Sequence, residues 1–424
     1  MPNLVGIGLS QVPTNSMLGG MAYQDPDRVK IKKLHIDEIS QINSEIAETA
    51  VAVFVYDTSR DFDGGAWRKR TTDRSWYNET LGTSTRGTRK EFPAVAVIVA
   101  EDAKLTIYDG DDPNLPMWMV FNLLGAVGSN SNMLPRGGSG SESDITSVAF
   151  LNAKLVVGLK DVSGTVGEGL VVIDFISELA RIHRTEDSGY TGAIYKALIS
   201  GRNSNGEYSG DYNELAIVHE AINDIAMVVL PNAPIDDATG LPIPTIFAGT
   251  RSGLSIIKDN GTVIDGTSAS GSNYSYVKRI TITEENYLWF LADYFNGYGP
   301  LRDSYALSLD TLPPSDFTWN NSTDNLSTGR YYALTTDNEA GEIKIGDANT
   351  WAWNYQERNA LGGASGLAIH KPEIGSETNS LIAAINYDYN TGYMHGNTEG
   401  AFLSDTDTTN LVDTNLVSNG TFDS

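Results

Sequence analysis

Aromatic and polar side chains alternate in the segment "DYFNGYGPLRDSY", which spans residues 293–305. Sugar rings pack their C–H faces against aromatic rings, while carboxylates and amides bind the hydroxyl groups. We therefore predict that this segment contacts a glycan or a protein partner; the alternative is a loop that packs its own tyrosines. The predicted contact residues are Asp293, Tyr294, Phe295, Asn296, Tyr298 and Arg302.

Two short acidic segments carry closely spaced oxygen ligands of the kind that calcium binds. They are "DGDDPN" at residues 109–114 and "DTDTTN" at residues 405–410. Neither has the central glycine and distal glutamate of an EF-hand loop, and a solvated acidic turn accounts for both. We therefore predict no cofactor and keep a structural calcium ion as the alternative.

Residue patterns of common catalytic sites are scarce. The chain has no cysteine and no Gly-x-Ser-x-Gly motif, and its five histidines lack the spacing of a zinc site. Carboxylate pairs for glycoside hydrolysis exist among any 54 acidic residues, so they single out no position. We predict no catalytic and no metal-binding residue. The alternative is a β-propeller glycosidase or depolymerase that acts on host surface polysaccharide.

The segment "VFVYDTSRDFDGGAWRKR" (53–70) predicts a strand, a tight acidic turn and a second strand. Ser59, Asp61, Gly64 and Trp67 resemble the Asp-box hairpin of β-propellers, with one additional residue before the glycine. In such a hairpin Asp and Ser side chains accept hydrogen bonds from turn amides. We expect these four residues to be structural, with the tryptophan packed between neighbouring sheets.

Strands must position these residues, because apolar runs of five to eight residues separated by Gly, Asn, Asp and Ser dominate the chain. A phrase of alternating apolar residues that closes on an aspartate recurs about every 58 residues, which suits four-stranded propeller blades. We predict an all-β propeller of about seven blades over residues 51–405; six blades or two stacked β-sandwiches are the alternatives. The closing residues are Asp57, Asp109, Asp174, Asp259, Asp310, Asp347 and Asp405.

The two ends of the chain differ from the middle. Residues 1–50 form an arm and a short apolar stripe, and residues 406–424 are a polar linker. The arm has too few apolar residues to form a core, so we expect it to order against another chain. The stripe predicts a short helix at which three copies meet, and the alternative is a first blade strand over residues 36–46. Its members are Leu34, Ile39, Ile42 and Ile46.

Composition narrows the classes of partner. The formal net charge of −25 disfavours nucleic acid, because the surface repels phosphates. The lack of cysteine excludes disulfides. No apolar window approaches 18 residues, so we expect no membrane insertion, and the first residues lack the pattern of a signal peptide.

Several stretches together resemble a known class of viral proteins. They include "QVPTNSMLGGMAYQDPDRVKIKKLHIDEI", "YDTSRDFDGGAWRKRT", "LTIYDGDDPNLPMWMVF" and "NYLWFLADYFNGYGPLRDSYALSLD". Their sequences are similar to those of fibre-like structural tail proteins of marine bacteriophages. The closing "LVSNGTFDS" resembles the start of a galactose-binding-like, carbohydrate-binding β-sandwich.

The resemblance implies a virion structural protein, a tail fibre or tail-associated adhesin, that is made in the bacterial cytoplasm. Residues 1–50 would attach it to other tail proteins, the body would present surfaces for a host glycan or receptor, and the assembly would be a homotrimer. A carbohydrate-binding module would lie beyond the C-terminal linker. A tail nozzle or tube component with a propeller domain is the structural alternative.

Overall fold

The computed structural model describes most of residues 50–319 and a set of strands between residues 343 and 404. The N-terminal segment, with the predicted stripe, lies outside the described residues, as do residues 405–424. The described ranges are 50–127, 130–137, 142–161, 168–185, 191–204, 206–268, 276–282, 286–295, 300–319, 343–347, 350–356, 365–373, 376–386, 390–391, 394–395 and 402–404.

Two antiparallel sheets make up the first half of the described chain. Sheet I has the order β1 (Ala50–Asp57), β2 (Val95–Glu101), β3 (Lys104–Asp109) and β4 (Met117–Asn122). Sheet II has the order β5 (Ser143–Leu151), β6 (Lys154–Asp161), β7 (Gly169–Asp174), β8 (Ala180–His183), β9 (Gly192–Tyr195) and β10 (Tyr208–Ser209). In both sheets each strand pairs with the next strand along the chain.

Three further sheets follow. Sheet III contains β11 (Ile222–Val228), β14 (Thr245–Thr250), β15 (Leu254–Ile257), β16 (Val263–Ser268) and the parallel edge strand β20 (Phe317–Trp319); β12 (Ile235–Asp236) and β13 (Leu241–Pro242) form a hairpin inserted after β11. Sheet IV contains β17 (Tyr276–Ile282), β18 (Tyr287–Phe295) and β19 (Pro300–Ser308). Sheet V contains β21 (Ile343–Asp347), β22 (Thr350–Gln356), β23 (Ser365–Glu373), β24 (Ser376–Asn386) and β27 (Phe402–Ser404); β25 (Asn390–Thr391) and β26 (Met394–His395) form a second hairpin.

Helical structure in the described residues is limited to short 3-10 turns at Thr58–Arg60, Ala66–Arg70, Ile199–Gly201 and Asn213–Leu215. The strand predicted after the acidic turn is therefore wrong, because residues 66–70 form a 3-10 helix. Gly64 and Gly65 both adopt left-handed conformations, at φ values of 64° and 79°. They reverse the chain so that Trp67 points into the protein instead of extending along a sheet.

The sheets pack face to face, and alternate residues of one strand enter different cores. On β6, Leu155 and Val157 belong to the core between sheets I and II, whereas Val156 belongs to the core between sheets II and III. Sheet III repeats this arrangement, with Ile246 facing sheet II and Phe247 facing sheet IV. Residues on both faces of these sheets are buried, which explains the continuous apolar runs in the sequence.

The first strands of sheets I to IV each contain a β-bulge near their beginning. The bulges fall between Ala50 and Ala52, Ile145 and Ser147, Ile222 and Asp224, and Val277 and Arg279. Each bulge adds one unpaired residue, and these residues are Val51, Thr146, Asn223 and Lys278. The first strands also lie next to each other, β1 against β5, β5 against β11 and β11 against β17.

Hydrogen bonds of one pattern join the first strands of sheets II, III and IV. The bulge residue of one sheet donates to the carbonyl that precedes the bulge of the next: Thr146 Oγ1 to Ile222 O at 2.8 Å, and Asn223 Nδ2 to Val277 O at 3.1 Å. We call these hydrogen bonds the inter-sheet latch, together with those that the residue after each bulge accepts from an amide of the next sheet. Its repetition shows that sheet III is placed on sheet II as sheet IV is placed on sheet III.

The residue after each bulge completes the latch by accepting an amide from the next sheet. Ser147 Oγ accepts from Ile225 N at 3.2 Å, and Asp224 Oδ2 accepts from Ile280 N at 2.9 Å. These amides lie on strands at a sheet-to-sheet contact, where an unpaired donor would be destabilising. The side chains at bulge positions therefore have a structural role that fixes the offset between sheets.

Glycines on the second strands allow this close approach. Gly158 pairs with Ser147, and a Cβ at Gly158 would lie 2.6 Å from Ile222 Cγ2. Gly249 pairs with Asp224, and a Cβ there would lie 2.9 Å from the carbonyl oxygen of Val277. Any larger residue would separate the sheets and stretch the latch.

The Asp-terminated phrases do not all occupy equivalent strands, so that prediction is wrong in part. Asp109, Asp174, Asp259 and Asp310 close the third strands of sheets I to IV, but Asp57 closes β1 within sheet I. Asp347 closes β21, also a first strand, and Asp405 lies outside the described residues. The phrase marks local turn chemistry, since the carboxylates of Asp57, Asp109 and Asp174 accept from amides two residues ahead at 2.8–3.0 Å.

The all-β prediction is confirmed: apart from the parallel β16–β20 pair, the described strands pair antiparallel, and none of the described sheets is closed on itself. The count of seven blades stays a prediction. The described strands form five sheets of three or more strands, and two neighbouring phrases share sheet I.

Candidate functional site

The sheets have two chemically different ends. The third strands finish at one end, which we call the Asp end, with Asp109, Asp174, Asp259 and Asp310. The first strands begin at the opposite end, which we call the bulge end because the four β-bulges lie there. The residues that the sequence analysis singled out are divided between these two ends.

At the Asp end, Asp61 is the centre of a buried hydrogen-bond network. Its carboxylate accepts from Trp67 Nε1 at 2.7 Å, from the backbone amide of Asn152 at 2.9 Å, and from the hydroxyl of Tyr56. Trp67 is fully buried in the core between sheets I and II. Burial raises the pKa of Asp61 to about 7, although these hydrogen bonds favour its charged form. The network joins sheet I to the β5–β6 turn and so has a structural role.

The other two residues of the predicted turn lie at its surface. Ser59 is exposed, and its backbone amide donates to Asp57 Oδ1 at 3.0 Å. A Cβ at Gly64 would meet nothing within 4 Å. The glycine with the tighter surroundings is Gly65, where a Cβ would lie 2.9 Å from the carbonyl oxygen of Thr58.

The first acidic segment is also at the Asp end, and its carboxylates contact protein donors. Arg89 lies 2.8 Å from Asp109 and 2.7 Å from Asp111. Asp111 also accepts from the amides of Ala94 and Val95 at 2.7 and 3.0 Å. In the part of the chain that the structure describes, no group of three or more His, Asp or Glu residues is arranged to hold a metal ion.

At the bulge end, one backbone position carries a different side chain in each of four sheets. On each first strand, the residue directly after the bulge has a Cα partner on the second strand. This partner is Ala100 in sheet I, Gly158 in sheet II, Gly249 in sheet III and Leu291 in sheet IV. Two residues further along the chain, at or just beyond the end of the second strand, each sheet has a polar residue. These residues are Asp102, Lys160, Arg251 and Asp293, which we call the exit positions.

Two of the exit positions, Lys160 and Arg251, contact the bulge region of the next sheet. Lys160 Nζ of sheet II donates to Asn223 Oδ1 of sheet III at 3.0 Å. The guanidinium of Arg251, in sheet III, lies 5.6 Å from the ring centre of Tyr276 in sheet IV. Lys160, Asn223, Arg251 and Tyr276 are all half-buried, so part of each side chain faces solvent.

The predicted contact segment extends the same end of sheet IV as a β-hairpin rather than as a loop. Asp293 is the Cα partner of Tyr276 in β17 and of Arg302 in β19. Tyr294 pairs with Leu301, and Phe295 pairs with Pro300. Asn296 and Tyr298 lie outside the described residues. The structure thus places the backbone of the segment beside Arg251 and Tyr276.

A second cluster at the bulge end combines two carboxylates with one arginine. Arg184 Nη2 lies 3.3 Å from Glu220 and 3.9 Å from Glu168. Burial raises the pKa of both glutamates, and the charge of Arg184 opposes this shift. The neighbouring His183 is buried with Nδ1 3.0 Å from Leu215 O, and burial lowers its pKa to about 4.

Two buried arginines near the edge of sheet I are structural. Arg86 and Arg202 both lie near Glu79, at 3.8 and 2.8 Å. Arg86 donates to Trp118 O at 2.8 Å, and Arg202 donates to Val120 O at 2.7 Å. They occupy carbonyls of the edge strand β4 and so protect that edge from pairing with another chain.

Sequence reasoning missed the bulge-end residues other than those of sheet IV. A pattern that could have found them is aliphatic–polar–polar–aliphatic at the start of three first strands. It occurs as "ITSV" at 145–148, "INDI" at 222–225 and "VKRI" at 277–280. The two polar positions are the bulge residue and the residue that follows it.

Comparison with known proteins adds no relative. No family model matches the chain, and no curated protein matches it. Across the described residues, none of the helices has the length and apolar character needed to cross a membrane.

Proposed function

We propose that this protein is a non-enzymatic structural component of a bacteriophage tail, a fibre or tail-associated adhesin that presents a recognition surface at its bulge end. The observation that carries the proposal is the row of exit positions. One scaffold position, held by the same bulge geometry in four sheets, presents Asp102, Lys160, Arg251 and Asp293. A rigid body with varied polar and aromatic groups at one end is suited to binding.

The body that we propose is a closed propeller of about seven blades, or of six. Two features support it: the first strands lie side by side, and the latch repeats between successive sheets. Sheet I also has a second apolar face that includes Val53, Val55, Val97 and Val99. We propose that sheet V covers this face, so that the last sheet closes the ring against the first.

Attachment and assembly are assigned to the N-terminal segment. We propose that residues 1–50 bind other tail proteins and that three copies meet along the predicted stripe. Light scattering on the full chain and on a chain that begins at residue 48 tests this. A trimer that becomes a monomer without the segment supports the assignment, and the same state in both chains contradicts it.

The location is tested by a density map of intact virions of the phage that carries this chain. The proposal requires density for the chain at the outer tail, with the bulge end directed away from the attachment point. Density inside the tail tube would instead favour the nozzle component. Absence of the chain from purified virions, checked by mass spectrometry, would contradict the proposal as a whole.

The second candidate is a propeller glycosidase, favoured by the Glu168–Arg184–Glu220 cluster. Two partly buried carboxylates with raised pKa values are a common arrangement in acid–base hydrolysis. Release of reducing ends from host polysaccharide tests it, with Glu168→Gln and Glu220→Gln as variants. The exposed Glu214→Gln is the matched control. Turnover that both cluster variants abolish and the control retains would establish the enzyme.

A further inference from the structure

The bulge end of sheets II to IV collects positive charge in a protein whose net charge is −25. Lys160 and Arg251 occupy exit positions, Lys278 is the bulge residue of sheet IV, and Arg279 follows it. All four are half-buried, with part of each side chain accessible. Because the protein as a whole is acidic, this local concentration of positive charge is a specific feature of the bulge end.

Contacts between sheets bring these cations together. Lys160 Nζ donates to Asn223 Oδ1 at 3.0 Å, and Asn223 Nδ2 donates to Val277 O at 3.1 Å, directly before Lys278. The positive charges of Arg279 and Lys278 act on Lys160 strongly enough to lower its pKa, in addition to the larger effect of burial. Lys160 and the two basic residues of sheet IV are therefore electrostatic neighbours.

The acidic residues of the region neutralise these charges only in part. Asp224 attracts Arg279, but its carboxylate is occupied by Ser147 Oγ and by the amides of Ile225 and Ile280 at 2.9–3.0 Å. The negative charge of Asp161 raises the pKa of Lys160, but burial and the charges of Arg279 and Lys278 hold it below its ordinary value. Asp293 lies at the exit position of sheet IV, with Arg302 as its Cα partner. Among the described residues, neither Lys160 nor Arg279 has an ion pair within 4 Å.

The latch supplies a second, independent argument. At the position after the bulge, Ser147 and Asp224 are acceptors for an amide of the next sheet. The corresponding residue of sheet IV is Arg279, which has only donors. Its pairing residue is Leu291, where sheets II and III have the glycines that allow close approach. At this position sheet IV therefore offers hydrogen-bond donors and positive charge, where sheets II and III offer an acceptor.

We propose that Lys160 and Arg279, with Asn223 between their sheets, bind the carboxylate or sulfate groups of an acidic glycan. Arg251 and Tyr276, whose guanidinium and ring centre lie 5.6 Å apart, would contact the sugar rings. This inference rests on the proposed recognition function and specifies the ligand class. Charge-assisted hydrogen bonds from lysine and arginine are the usual means of binding such groups.

Binding of the full-length protein to three polysaccharides tests the proposal: polygalacturonate, dextran sulfate and neutral dextran of matched length, each by isothermal titration calorimetry at low and high salt. We expect one or both acidic polymers to bind, more weakly at high salt, and neutral dextran not to bind. The double variant Lys160→Gln, Arg279→Gln should lose at least about tenfold in affinity. The matched control is Lys69→Gln, Lys196→Gln, which removes the same charge from two exposed residues.

Thermal unfolding without ligand distinguishes loss of binding from loss of folding. The double variant should still unfold in one cooperative transition, because glutamine keeps a polar side chain at both half-buried positions. If the variant and its control lose affinity for the acidic polymers equally, the proposed site is wrong, because binding would then depend on the overall charge of the protein and not on Lys160 and Arg279. Tight binding of neutral dextran that the variant does not weaken would contradict the proposal of an acidic ligand, while the proposed recognition function would remain supported. If inorganic sulfate raises the melting temperature of the wild type but not of the variant, and no polysaccharide binds, the glycan ligand is contradicted and the residues form only an anion site.

Discussion

Thr146 of sheet II donates a 2.8 Å hydrogen bond to the carbonyl of Ile222 in sheet III. Asn223 of sheet III donates the corresponding hydrogen bond, of 3.1 Å, to the carbonyl of Val277 in sheet IV. Both donors are the extra residues of β-bulges, and both acceptors precede the bulge of the next strand. The same hydrogen bonds therefore join sheet II to sheet III and sheet III to sheet IV. This relationship links a local backbone irregularity to the placement of these three sheets.

The latch predicts that Asp224→Ala is strongly destabilising. The change removes the acceptor for the Ile280 amide, a group on a strand at the contact between sheets III and IV. A buried donor left unpaired costs about 1–3 kcal/mol, so we expect a loss of that size in the free energy of unfolding. Chemical denaturation measures it, with the exposed Asp237→Ala as the matched control. Equal stability of both variants would show that the latch contributes nothing.

Trp67→Ala should lower the free energy of unfolding by about 3–5 kcal/mol, as for other large buried aromatics. Trp67 is fully buried, lies 5.1 Å from the ring centre of Phe92 and donates to Asp61. Trp67→Phe should lose less, because it retains one aromatic ring and removes the hydrogen bond and only part of the buried volume. Denaturant unfolding of both variants decides the matter. A shift of the melting temperature by less than a degree in Trp67→Ala would show that the turn is not a packing feature.

His183 predicts a loss of stability in acid. Burial lowers its folded-state pKa to about 4, below the ordinary value of 6.5. The unfolded chain therefore binds more protons between these values, so the contribution of the neutral imidazole is complete above pH 6.5 and is lost as the pH falls towards 4. The difference corresponds to about 3 kcal/mol.

The variant His183→Gln isolates this effect. Asp61, whose pKa is raised to about 7, has the opposite slope, because its folded state holds a proton that the unfolded state releases. Only the difference between wild type and His183→Gln, measured by denaturation across this pH range, reports His183 itself. Parallel pH profiles for the two proteins would mean that the imidazole titrates normally.

Local chemistry could be predicted from the sequence, whereas contacts between sheets could not. The Asn260–Gly261 pair predicts a hairpin turn, and Lys258 N does donate to Thr262 O there, with Gly261 at a φ of 85°. The burial of Trp67 beside Asp61 also follows from residue types close in sequence. Lys160 and Asn223 are 63 residues apart, and only the stacking of two sheets makes them neighbours. No local pattern encodes that distance, although the repeated polar pair at the bulges marks the strands that carry it.

Closure of the ring predicts which strands can be joined covalently. In sheets I to IV the first strand of one sheet lies beside the first strand of the next, so a closed ring that continues this order places β21 of sheet V beside β1 of sheet I. Val53 and Ala52 are adjacent half-buried residues on opposite faces of β1: Ala52 packs towards sheet II, and Val53 belongs to the other face. The chain has no cysteine, so introduced pairs are the sole sites of thiol cross-linking.

We therefore expect Val53→Cys to cross-link within one chain to Lys344→Cys or to Ile345→Cys, which are consecutive residues of β21. A flexible bismaleimide that spans about 10 Å, the spacing of stacked sheets, is the suitable reagent. Ala52→Cys, combined with the same two partners, is the matched control and should give no intramolecular product. Peptide mass spectrometry identifies the joined strands. If neither Val53 pair reacts in a folded protein, or if the Ala52 pairs react equally well, sheet V does not cover sheet I and the array is open.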